Sequence, residues 1–120
     1  MDATELSDLL VEHLREHRAA GGKKCVKGKA LARLFNTSER MIRAAVEDAR
    51  NRGELIGSGG DGYFYAVHPA EMIPVLVNLE KRALSILHTR RMIREKLRAM
   101  KTGPVQLELL EREDTMRRSA

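Results

Sequence analysis

GKALARLFNTSERMIRAAVEDARNRGELI (residues 28–56), followed by GSGGDGYFY (residues 57–65), is the stretch that decides the fold. Its first part predicts a short helix over 28–35, with Leu31 and Leu34 facing the core and Ala32 small enough for a close helix crossing. Asn36 follows at a turn, where its tolerance of positive φ lets it replace the usual glycine. Ser38 is a strong N-cap for a second helix over 39–52, on which Ile42, Ala45, Val46 and Ala49 form a narrow apolar stripe. Arg40, Ala44, Glu47 and Asn51 point almost oppositely, with Arg43 at the flank, and Gly53 closes the helix. Leu55-Ile56 and Tyr63-Phe64-Tyr65 then flank a loop with four glycines, which predicts a hairpin carrying Tyr63 into the core.

Upstream, Asp2 with Glu5 three residues later fits a capping box, and Thr4 or Ser7 are alternative caps. Leu6, Leu9, Leu10, His13 and Leu14 share one face of a helix predicted over 3–18, which Gly21-Gly22 ends. Lys23 to Val26 is expected as a third, edge strand beside the hairpin, with Cys25 a small buried residue in it. Downstream, Pro69 suits the first turn of a helix, whereas Pro74 lies too deep for that, so a kink or break is expected near it. Met72, Leu76, Leu79, Ala83, Ile86, Arg90, Ile93, Leu97 and Met100 recur at spacings of four and three, a heptad seam broken only by Arg90. A helix from 69 to 101 would be roughly 50 Å long, more than a 70-residue unit can cover. Thr102-Gly103-Pro104 stops it, and a flexible tail is expected beyond.

The 120 residues suffice for one domain and a little more: 1–66, then a helix over 67–101, then a tail over 102–120. The net charge of +5 is unevenly spread: residues 21–66 carry nine Lys/Arg against five acids, and residues 67–101 eight against three. Such a distribution suits phosphate neutralisation, although lysines and arginines also simply solvate helix faces. The single cysteine excludes an intramolecular disulfide and a zinc cluster. No apolar run reaches the ~18 residues of a membrane span, and MDATELSDLL lacks a signal-peptide pattern, so a cytoplasmic protein without membrane contact is expected.

ALARLFNTSERMIRAAVEDARNRGELI…GDGYFY resembles the winged-helix domain at the N-terminus of biotin-repressor-type proteins. The matching residues are Leu31-Ala32, Ser38, Ile42, Val46, Gly53, Ile56 and Gly60-Asp61-Gly62-Tyr63, within a likeness covering about residues 6–66. Short phage or prophage DNA-binding proteins that add a C-terminal helix are the nearest in plan. The resemblance implies a mainly α (α+β) fold: a winged helix-turn-helix with a small β-hairpin wing, then a long C-terminal helix. It also implies double-stranded DNA as partner and transcription regulation as role, with the protein on the nucleoid when bound.

On that geometry the second helix of the pair lies in the major groove. Arg40 and Arg43 would pair bidentately with guanine, Asn51 with adenine, and Glu47 would accept from cytosine, with Ala44 between them. Lys23, Lys24, Lys27, Lys29 and Ser38 would hold phosphates. The wing departs from the family pattern: Ser58 to Asp61 holds an acid and no Lys or Arg, so the wing is expected to serve mainly as structure.

Other patterns compete. Gly57, Gly59 and Gly62 match G-x-G-x-x-G, but such a loop must open a helix, and an aromatic strand follows here. His13 and His17 stand four apart without a third ligand, so a half-buried histidine is the simpler expectation. No carboxylate pair, nucleophile–base set or metal cluster emerges, and neither an enzyme nor a cofactor is expected. The heptad helix is expected either to form a homodimer through Leu76, Leu79, Ala83, Ile86, Ile93 and Leu97, or to fold back on its own domain. Gln106-Leu107-Glu108-Leu109-Leu110 resembles the short peptide with which bacterial replication proteins dock on the sliding clamp. That motif supports a second role, a replication accessory protein bringing the clamp to origin DNA through Gln106, Leu107, Leu109 and Leu110. An interaction adaptor without DNA is a third.

Overall fold

The computed structural model describes residues 2–60, 62–100 and 112. In order, the described elements are α1 (Ala3–Ala19), α2 (Gly28–Leu34), α3 (Glu39–Asn51), β1 (Ile56–Gly59), β2 (Gly62–Tyr65), one 3-10 turn (Pro69–Met72) and α4 (Ile73–Ala99). The fold is mainly helical, with a two-stranded antiparallel hairpin and a long C-terminal helix.

The Asp2 carboxylate caps α1 by accepting from the Glu5 N–H at 2.9 Å. Leu6, Leu10, Val11 and Leu14 are buried, and Ser7 is fully buried among them. Leu9, expected in the core, is 41% exposed instead. The buried face turns towards Ser7 and Val11, because Arg52 at the end of α3 arrives there. It donates to the Ser7 hydroxyl and, at 2.8 Å, to Asp8, and pairs with Asp48 at 3.2 Å.

α2 is about two turns long, and only Leu31 and Ala32 bury in it. Leu34 is 55% exposed, against expectation. On so short a helix the Leu31–Ala32–Phe35 arc is the one that meets the core, and Leu34 lies outside it. Asn36 adopts φ +50° and the Thr37 N–H returns to the Ala32 carbonyl at 2.8 Å, so the chain reverses in the way the Asn was expected to allow. The Ser38 hydroxyl accepts from the Met41 N–H at 3.2 Å and starts α3. Ile42, Ala45, Val46 and Ala49 are all buried, the predicted stripe, and α3 packs mainly on α1. Each large apolar side chain so buried stabilises the fold by about 1.5–3 kcal/mol.

In the hairpin, Ile56 pairs with Tyr65, Gly57 with Phe64, Ser58 with Tyr63 and Gly59 with Gly62. Alternation sends Tyr63 and Tyr65 towards the core, half-buried, while Phe64 is buried on the other side. There its ring covers Gly57 so closely that a Cβ on Gly57 would collide with it. Lys24 and Arg18 lie over the Phe64 ring, at 4.4 and 5.8 Å from its centre. The expected third strand is a single residue pair, Val26 with Tyr63, bonded in both directions at 2.7 and 2.9 Å. It extends no further because Gly28 already begins α2. Gly62, at φ +126°, backs onto the Val26 carbonyl at a point where a side chain would clash. Cys25 is half-buried rather than buried.

The first compact unit runs to Val77 and a second begins at Asn78. Glu71 anchors the end of the first. It accepts from Arg18 at 2.7 Å, from Lys24 at 3.2 Å, and from the Val67 and His68 N–H groups at 2.8 and 3.0 Å. These contacts, the Arg18 bond foremost, hold its carboxyl far below the ordinary carboxylate range. The kink or break expected near Pro74 takes the form of a break just before it: the 3-10 turn ends at Met72 and α4 begins at Ile73. Pro74 therefore sits in the first turn, where no intrahelical N–H is required. Val75 is the one buried residue of α4. Among the described residues no helix is long and apolar enough to cross a membrane.

Candidate nucleic-acid interface

The stripe that buries α3 leaves its opposite face in solvent. Arg40, Arg43, Glu47 and Asn51 are all exposed, and Ala44 among them is half-buried. From Arg40 to Asn51 this face is roughly 16 Å long at 1.5 Å per residue. Arg40 and Arg43 have no hydrogen-bond or ion-pair partner among the described residues. Both guanidinium groups are thus free to make planar, paired hydrogen bonds to an acceptor edge or an anion. Ser38, exposed at the head of the helix, spends an oxygen lone pair on the Met41 N–H and keeps its own proton to donate.

The four lysines differ in what they do. Lys23, Lys27 and Lys29 are exposed and unpaired among the described residues. Lys24 is engaged by Glu71 and the Phe64 ring, so it serves the fold. Gly28 brings the lysine loop towards α3: a Cβ there would lie 3.7 Å from Glu39 Oε1 and 3.6 Å from Tyr63 Cε2. Lys27 and Lys29 therefore flank a backbone position beside the first turn of α3.

Sequence reasoning missed three cations. Arg33, exposed in the last turn of α2, extends the basic margin. Arg50 reaches from α3 to β1, donating to the Ile56 carbonyl at 2.8 Å and the Ser58 hydroxyl at 3.1 Å. The hairpin, which has no Lys or Arg of its own, thereby gains a guanidinium at its base. Arg15 donates to Glu54 at 3.2 Å and the Tyr65 hydroxyl at 3.0 Å, fixing the hairpin to α1. Only Arg33 carried a signal, as a charge one turn before Asn36; the other two depend on long-range packing.

His13 packs edge-on against Phe35 at the end of α2, and His17 Nε2 bonds the Lys23 carbonyl at 2.7 Å, so both rings serve the packing of the fold. Gly57 and Gly62 of the G-x-G-x-x-G match are occupied by the Phe64 ring and the Val26 backbone. Asp61 and the peptide Gln106, Leu107, Leu109, Leu110 lie outside the described residues. No family model, curated protein or solved structure matches this chain.

Proposed function

We propose that the first unit is a winged helix-turn-helix domain that binds double-stranded DNA as a transcription regulator of the phage or prophage type. α3 enters the major groove, with Arg40 and Arg43 reading guanine edges, Asn51 an adenine and Glu47 a cytosine. Ala44 leaves room for the helix to approach the bases. Lys23, Lys27, Lys29, Arg33 and Ser38 hold the flanking phosphates. The observation that carries this reading is the division of α3: one stripe wholly buried, the other exposed with two unpaired arginines at its N-terminal half. A helix of 13 residues with that polarity fits the ~12 Å width of the major groove.

The test is fluorescence anisotropy with duplex DNA selected from a random pool, read over a salt series. The four cations among these contacts predict a slope of about −4 in log K against log salt. Arg40→Ala with Arg43→Ala should lower affinity for the selected duplex by about 1–3 kcal/mol per lost contact and reduce binding to random duplex far less. Equal losses on both duplexes would show that α3 reads no bases. Failure to bind any duplex at about 50 mM salt would end the DNA reading.

A further inference from the structure

We propose that α4 is the surface through which two copies of this chain associate, residues 79–100 of one helix packing on the same residues of the other. From Asn78 onward α4 buries no large apolar side chain. Ile86 is 67% exposed, Met100 61% and Ile93 57%, with Leu79 and Leu97 also open to solvent. Leu79, Ile86, Ile93 and Met100 stand seven residues apart, with Ala83 and Leu97 at the intermediate positions.

The period identifies the partner. A straight helix drifts about 20° per heptad away from a strict seven-residue repeat. Over three heptads that drift is roughly 60°, so the seam stays on one face only when the helix winds around another of similar length. A second α4 has that length and the same seam. Ala83 permits close approach of the two backbones.

The area agrees. With Leu84 and Leu87 at the margins, seven large apolar side chains of the seam are 38–67% exposed, on the order of 700 Å² together and close to the ~800 Å² each partner gives to a standard interface. The largest apolar patch on a typical monomer is ~300–600 Å². Arg90, the charged position within the seam, is half-buried and has a partner within its own chain. The proposal stands independently of the DNA reading.

Sedimentation equilibrium of the full chain, with and without Ile86→Glu, tests it. The parent should sediment at about twice the 13.5 kDa of one chain at tens of micromolar. Ile86→Glu should weaken association about a thousandfold, because both copies lose a buried isoleucine and gain a buried charge. Ile86 is exposed in the single chain, so the variant keeps its fold, checked by far-UV circular dichroism. Lys81→Glu, away from the seam, should leave the mass unchanged. A parent that stays monomeric at every concentration, or a dimer that Ile86→Glu leaves intact, overturns the proposal. A monomer whose melting temperature falls with Ile86→Glu also overturns it, because the seam would then be covered within the same chain.

Discussion

Replacing Gly57 by alanine should cripple the first unit, although alanine is otherwise the mildest substitution. The new Cβ would fall inside the Phe64 ring, which is 5% exposed and held between Gly57 and the Lys24 and Arg18 cations. The ring has to leave. An expelled phenylalanine costs about 3–5 kcal/mol, the range for truncating a buried aromatic. A unit of this size has a total stability of roughly 4–12 kcal/mol. Each lost kcal/mol lowers its midpoint by about 4–8 °C. The melting temperature of Gly57→Ala should therefore drop by at least about 12 °C, measured by circular dichroism with urea unfolding in parallel. A double-mutant cycle isolates the cause. In a Phe64→Ala background the same change should cost under about 0.5 kcal/mol, since nothing remains to collide with. Equal costs in both backgrounds, or a parent-like melt of Gly57→Ala, would refute the packing of Phe64 on Gly57 and with it the strand register.

Two further outcomes follow from the site and its support. Ser38→Asp should keep the α3 cap, holding the melting temperature within about 3 °C because Asp and Ser cap equally well. It should also weaken duplex binding by placing an anion where a phosphate is expected; unchanged affinity would remove Ser38 from the interface. Glu71 governs the acid limb of stability. Its folded carboxyl is held below the ordinary value of 4.5, so its contribution is complete above that pH. The contribution is lost as pH falls towards the folded value, where the proton returns. The urea midpoint should accordingly decline below pH 4.5, and Glu71→Gln should flatten that decline; parallel profiles for the two proteins would exclude Glu71 as the source.

Features carried by nearest neighbours were legible from residues alone. Asn36 at φ +50°, the Ser38 cap, the α3 stripe and the hairpin all follow from local preferences that packing reinforces. What escaped was decided by distant partners. Leu9 and Leu34 are as apolar as their buried neighbours, and only the direction from which α3 arrives excludes them. The form of the break before Pro74 was not readable, because the 3-10 turn that delays α4 holds Glu71, whose partners Arg18 and Lys24 lie some fifty residues earlier. In the site, the exposed face of α3 was readable. The diversion of Lys24 to the fold and the delivery of Arg50 to the hairpin were not, since each hinges on one side chain crossing between elements.

The Arg50 contact with the Ile56 carbonyl also bears on how this chain avoids the wrong kind of self-association. A small sheet offers two rims onto which a foreign strand could zip, the route to fibrous aggregates. Here β1 is four residues long and rich in glycine, and a guanidinium occupies one of its outward carbonyls. On the far side, Val26 takes both backbone groups of Tyr63, and the chain then turns into α2. With both rims interrupted, strand-to-strand growth has little purchase, and contact between chains is left to their helices.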